Sequence, residues 1–188
     1  MSRLRLSNER VVDLAVKMIN RKGWESLSLA ALAESAEVSS PSLYKHVEGL
    51  DGLRRDIALY AVRRLGSVLG EAIMGRAGDE AILAMIRAYR NLLTEQPGLG
   101  RALEQAPDRR DKELLEASSR LLDVAVLAFR DKLPVREDAL HAIRAVRAMV
   151  QGFHSLQQAS GFGLPLSLDE SFERMIQAWL VGLQPSLL

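Results

Sequence analysis

Apolar side chains recur along this chain at helical spacing, and no stretch alternates as a half-buried strand would. Val11, Val12, Ala15, Met18 and Ile19 fall on one face, after possible caps at Ser7 or Asn8. Lys22-Gly23 closes that helix, with cations in the last turn and glycine beyond. Trp24 and Leu27 follow and read as core of a small unit. Ser28 can cap a short apolar helix through Ser35, and Ala36-Glu37-Val38 forms a tight turn. Ser39 or Ser40 can cap a second short helix, with Pro41 in its first turn, where no backbone donor is lost. Two short helices across such a turn make a helix-turn-helix, whose second helix fits a DNA major groove.

Further on, the pattern predicts a long helix from Gly49 to about Met74, with Leu53, Ile57, Tyr60, Ala61, Leu65, Val68 and Ile73 in its stripe. Gly75-Arg76-Ala77-Gly78 breaks it. Asp79 then caps a helix to about Glu95, and a short one covers Leu99–Gln105. Longer helices are expected over about Arg109–Lys132, Arg136–Ala159 and Leu168–Leu183, the last capped by Ser167. The expected fold is all-α with about nine helices. The pattern assigns residues 1–48 to a three-helix DNA-binding domain and residues 49–188 to a larger helical domain. No Gly/Ser linker separates them, so a rigid helix from Gly49 should join both.

Composition narrows the chemistry. The chain has no cysteine, which excludes disulfides, thiolate metal sites and cysteine nucleophiles. No uncharged run approaches the ~20 residues that span a bilayer, and no apolar leader opens the chain. The expectation is a soluble cytoplasmic protein with no cofactor and no membrane partner. The three histidines, His46, His141 and His154, form no metal-binding motif, and no Gly-rich phosphate loop follows a strand. An enzyme is not expected. Net charge is +1, yet residues 1–64 carry +3 and residues 65–188 carry −2. A basic tip on a nearly neutral body suits a module whose one end meets phosphates.

The run from Val11 through Ala15, Met18-Ile19, Gly23-Trp24, Leu29, Leu32-Ala33, Ala36, Val38-Ser39, Leu43-Tyr44 and His46-Val47 to Leu53 resembles the tetracycline-repressor-like (TetR) family of transcriptional regulators. Ala88-Tyr89-Arg90, Pro97-Gly98-Leu99, Gly152-Phe153, Gly161-Phe162-Gly163 and Ser171-Phe172 are similar to that family's WHG-type C-terminal domain. The resemblance implies a homodimeric repressor, released from a palindromic operator by a small-molecule effector. Departures are specific. Glu37 stands where the turn usually carries glycine, so either it bears a strained backbone or the turn differs slightly. Leu50 replaces a lysine phosphate anchor. Arg147 and Gln151 stand where tryptophan and histidine are expected.

Ser28, Ser39, Ser40, Pro41, Ser42, Tyr44, Lys45 and His46 are the candidate DNA contacts. By resemblance Tyr44 and His46 meet the phosphate backbone. Ser40, Ser42 and Lys45 suit base edges, Pro41 suits a thymine methyl, and Ser28 at a helix N-terminus suits a phosphate. Arg3 and Arg5 are positioned for a minor-groove arm. Few residues here read bases bidentately, so DNA shape should contribute to specificity. Ala142, Ala145, Val146, Met149, Val150 and Phe153, with Met175, Ile176, Trp179, Leu180 and Leu183, form two apolar faces that read as a dimer seam; the alternative is burial in the chain's own core. Tyr60, Met85, Tyr89, Phe129, His141, Gln151 and His154 are candidate effector contacts, each individually as compatible with plain core. A second functional reading is a helical interaction scaffold that has lost DNA binding.

Overall fold

The computed structural model describes residues 6–184, which form nine α-helices, a single 3-10 turn over Trp24–Ser26 and no strand. Arg3 and Arg5 lie outside the described residues. The helices are α1 Asn8–Lys22, α2 Leu29–Ser35, α3 Ser40–Leu43, α4 Gly49–Ile73, α5 Gly78–Glu95, α6 Leu99–Ala102, α7 Lys112–Phe129, α8 Arg136–Gln158 and α9 Leu168–Val181.

Local chemistry sets most of these limits. The Ser7 hydroxyl accepts from the Arg10 N–H, Ser28 from Ala31 and Ser167 from Glu170, each closing an otherwise orphaned donor at a helix start. Gly23 ends α1 at φ +82°. Glu37 adopts φ +53°, as the turn requires of it.

Several limits differ from expectation; α6 and α7 each end three residues early, at Ala102 and Phe129. Asp79 does not cap α5; the helix starts one residue earlier, and the Asp79 carboxylate pairs with Lys132 Nζ at 2.8 Å. α7 begins at Lys112 rather than near Arg109, because the Asp111 carboxylate is the cap that accepts from the Leu114 N–H. α3 spans only Ser40–Leu43, and Tyr44–His46 continue as turns. The His46 N–H turns back to the Leu43 carbonyl at 2.8 Å, three residues away, instead of the Ser42 carbonyl that a continuing α-helix would use, and Asn8 Nδ2 donates to the His46 carbonyl at 2.9 Å.

Head and body share one hydrophobic core. Val11, Ala15, Leu32, Leu43, Leu53, Ile57, Ile86, Leu99, Phe129 and Phe172 belong to a single buried cluster. Two further ties join the parts. Asn8 Nδ2 also donates to Asp56 on α4 at 2.7 Å. The Gly98 N–H, at the start of α6, donates to Asn20 Oδ1 on α1 at 2.9 Å. A Cβ at Gly98 would stand 2.6 Å from Ile19 Cγ1, so only glycine lets α6 approach α1 this closely.

Candidate nucleic-acid interface and effector cavity

Leu43 is fully buried and anchors α3 to the head. That leaves Ser39, Pro41, Tyr44 and Lys45 exposed, with Ser42 and His46 half-buried. Tyr44 is 61% exposed, unusual for an aromatic side chain in a well-packed head. The Ser39 and Ser42 hydroxyls bond each other at 2.8 Å, so Ser39 is not a simple cap. Ser40 opens α3, and its side chain lies outside the described set. Ser28 is half-buried and tied to its own helix start, beside the free N–H groups of α2. Apart from Arg3 and Arg5, the nominated DNA contacts thus lie on or next to the helix-turn-helix, and Tyr44 and Lys45 are both open to solvent.

The body holds a cavity of about 260 Å³ between α4, α5, α7 and α8. Val62, Leu65, Leu69, Met85, Leu121, Ala125 and Val146 supply apolar wall, while Tyr89, Gln105, Ser118 and Arg147 supply polar groups. Of the candidate contacts, Met85 and Tyr89 line the cavity directly. Gln151 stands behind Tyr89, its Nε2 donating to the phenol oxygen at 2.9 Å. Burial pushes the Tyr89 hydroxyl up to about 12, so it stays protonated at neutral pH.

The other candidates lie elsewhere. Phe129 is fully buried and meets Trp179 edge-on, with ring centroids 6.4 Å apart. His141 is exposed, and Tyr60 is half-buried on α4 outside the cavity wall. His154 faces the Pro97 carbonyl at 3.2 Å and packs on Gly100; burial lowers its pKa. Arg147, Ser118, Gln105 and the α4 residues were not nominated. Arg147 is the one that the sequence flagged, as a departure from the resemblance.

The expected dimer faces divide. Ala142, Val146, Val150, Phe153, Ile176 and Leu180 are buried in the chain's own core and are not available to a partner. Those stripes are wide because α8 and α9 each pack on their own subunit. Ala145, Met149, Met175, Trp179 and Leu183 are half-buried, and Leu156 and Val181, which the pattern did not single out, are 50% and 79% exposed.

The N-terminal segment, residues 11–53, matches the profile described as bacterial regulatory proteins, tetR family. Residues 82–179 match a tetracyclin repressor-like C-terminal domain. The chain is 30% identical to YobS of Bacillus subtilis, an uncharacterized HTH-type transcriptional regulator, across 96% of this chain and 94% of that one. The chain belongs to the TetR family of transcriptional regulators. Rv0681 of Mycobacterium tuberculosis, also an uncharacterized HTH-type transcriptional regulator, is 30% identical over 96% of this chain and 83% of its own length. Among solved structures, a variant of TetR from Acinetobacter baumannii in complex with minocycline superposes with a TM-score of 0.72 at 21% identity, covering 95% of this chain and 96% of that chain. The Streptomyces coelicolor TetR-family protein ActR, in complex with actinorhodin, gives 0.68 at 20%, with 96% of each chain covered. No helix among the described residues is long and apolar enough to cross a membrane.

Proposed function

We propose that this regulator acts in the cytoplasm as a homodimeric repressor, bound to a palindromic operator and released when a small molecule fills the cavity in the body. The observation that carries the reading is the exposed Tyr44-Lys45 edge beside α3, held outward by the buried Leu43. One such head makes a small footprint. Two of them, ~34–36 Å apart on one side of the duplex, read a two-fold site. Residues 1–48 form the reading unit and residues 49–188 the sensing unit. The outer faces of α8 and α9 supply the seam, through Met149, Met175, Trp179 and the exposed Leu156 and Val181. Solved relatives that hold minocycline or actinorhodin support a sensing role for the cavity.

Control follows as a population shift: ligand favours a head spacing that no longer fits one turn of DNA. α4 runs from the head to the cavity wall at Val62, Leu65 and Leu69, and carries the change. The test is selection of duplexes from random DNA, with sedimentation of the free protein. Palindromic sites, a dimer and a steep loss of affinity with salt are expected. Loss of Tyr44 in Tyr44→Ala should weaken all sites about equally. A protein without duplex affinity would be the scaffold that the Leu50 substitution allows for.

A further inference from the structure

We propose that the ligand of the body cavity is a small carboxylic acid with an apolar body, its carboxylate held between Arg147 and the Tyr89 hydroxyl. The proposal rests on reading that cavity as the effector site. Three observations carry it.

The cavity wall contains one cation, Arg147, and no Asp or Glu. An amine ligand would find no carboxylate there. A hydrocarbon would leave the polar groups without partners, at the cost that any dehydrated donor carries.

The two strongest polar groups are both donors. The Tyr89 oxygen accepts from Gln151, and its own proton has no acceptor among the described residues. Arg147 uses Nη2 to reach the carbonyls of Leu103 and Glu104, at 2.6 and 2.8 Å. Its Nε and Nη1 meet no carboxylate among the described residues, and it is exposed at the cavity edge. A planar fork with open donors suits a carboxylate, which accepts through two oxygens.

Size limits the rest of the ligand. A volume of about 260 Å³ falls just under the ~300 Å³ at which small-molecule sites usually begin. At ~30 Å³ per water-sized group, it takes on the order of ten non-hydrogen atoms. An eight-carbon acid or a small aryl acid fits; a tetracyclic ring system does not.

The same arginine explains how such an acid would reach the DNA. Leu103 and Glu104 follow the C-terminus of α6, and the other end of α6 is seated on α1 through Gly98 and Asn20. A carboxylate that draws the Arg147 fork toward the cavity competes with those carbonyls and loosens the seat of α6 under the head.

The experiment is calorimetric titration of the full chain with octanoate, octan-1-ol and octylamine, repeated on Arg147→Gln, Arg147→Lys and Tyr89→Phe. The same three compounds are then added to the complex with a selected duplex. Octanoate should bind at least tenfold more tightly than octan-1-ol, and octylamine should not bind. Arg147→Gln should bring octanoate to the level of the alcohol, Arg147→Lys should retain part of the difference, and Tyr89→Phe should lose less. Circular dichroism checks that each variant is folded. Equal or tighter binding of the alcohol, no binding by any of the three, or octanoate affinity untouched in Arg147→Gln would overturn the assignment. Octanoate that binds without changing duplex affinity keeps the acid assignment and removes the effector reading. An alcohol that releases DNA where the acid does not removes the assignment and keeps the reading.

Discussion

The reading head and the sensing cavity differ in how the chain assembles them. Apart from Arg3 and Arg5, every residue nominated for DNA contact falls between Ser28 and His46, on two short helices and the turns beside them. The cavity wall draws instead on Val62, Met85, Leu103, Leu121 and Arg147, from five separate parts of the chain. A surface made from one segment is readable from the order of its residues. A cavity depends on which faces of distant helices meet, and helical periodicity says only that each helix has an apolar face, not which neighbour it finds. The two regions are nonetheless not independent, since one buried cluster runs through both.

That continuity can be broken first and most severely at Phe129. It is fully buried in the body, against Trp179. Phe129→Ala should cost about 3–5 kcal/mol, the range for removing a large buried ring. Trp24 lies in the head and Trp179 in the body. Single-tryptophan versions, Trp24→Phe and Trp179→Phe, therefore report each region during urea unfolding. Both should shift to lower urea together. A head signal that stays put would show that the regions unfold separately.

The next effect belongs to the head alone. Lys45 is exposed and makes no ion pair among the described residues, so it is open to DNA. Lys45→Ala should relax one base position by about 1–3 kcal/mol if the ammonium reads a base edge. If it meets phosphate, affinity should fall alike across sites, with a shallower salt slope. Duplex selection with the variant decides between them, and thermal stability should stay within about 0.5 kcal/mol of the parent.

Particular residues show what was legible. Ser7, Ser28 and Ser167 were identifiable as caps because a cap needs only a side-chain oxygen just before a helix and the backbone N–H two or three residues on. Strain at Glu37 was legible only through the resemblance, which puts glycine at that place in the turn; the observed φ of +53° is the left-handed conformation that glycine suits. The length of α3 was not, because the tight turn after Leu43 is held partly by Asn8, which is distant in sequence and donates to the His46 carbonyl. Asp79 has the chemistry of a cap, but Lys132, distant in sequence, claims it. The apolar stripes of α8 and α9 could not be divided between core and partner, because an apolar side chain buries equally well against either. Arg147 drew notice only as an unexpected residue; its link to the carbonyls after α6 is purely tertiary.

Glu37 itself gives a smaller test of the head. A non-glycine residue in the left-handed region costs about 1–2 kcal/mol, part of which glycine gives back through its more disordered unfolded chain. Glu37→Gly should therefore stabilise the protein by about 0.5–1 kcal/mol and raise Tm by a few degrees. Calorimetry reads this directly. A lower Tm would mean that the Glu37 side chain contributes contacts outweighing the strain.

The smallest effect separates the head side of the body from the side where α9 packs. Arg55 on α4 bonds Asp111 through Nε at 2.6 Å and Nη2 at 2.8 Å, and also reaches Asp56 and Glu113. This guanidinium, helped by the Leu114 N–H, lowers the Asp111 carboxyl from 3.8 to about 2. On the other side, Arg87 on α5 holds Glu173 on α9 down to about 2, with help from Gln177. Both carboxyls are depressed in the folded chain, so each contributes stability that is full above its ordinary value and is lost as pH falls towards 2. Arg87 and Glu173 are largely open to solvent and the Arg55 cluster is part-buried at the surface, so water still screens both and limits each contribution to roughly 0.5 kcal/mol. Asp111→Asn keeps the acceptor that caps α7 but removes the charge. It should lower the urea midpoint slightly at pH 7 and leave it nearly unchanged at pH 2, where the parent has lost the same interaction. Glu173→Gln should behave alike. The difference lies in what else moves: Asp111 faces the helix that Asn8 ties to the end of the reading segment, so only Asp111→Asn should also alter duplex affinity at pH 7. Equal effects of both variants on duplex binding would mean that the α4–α7 ion cluster has no special line to the head, and that the shared core alone connects the two regions.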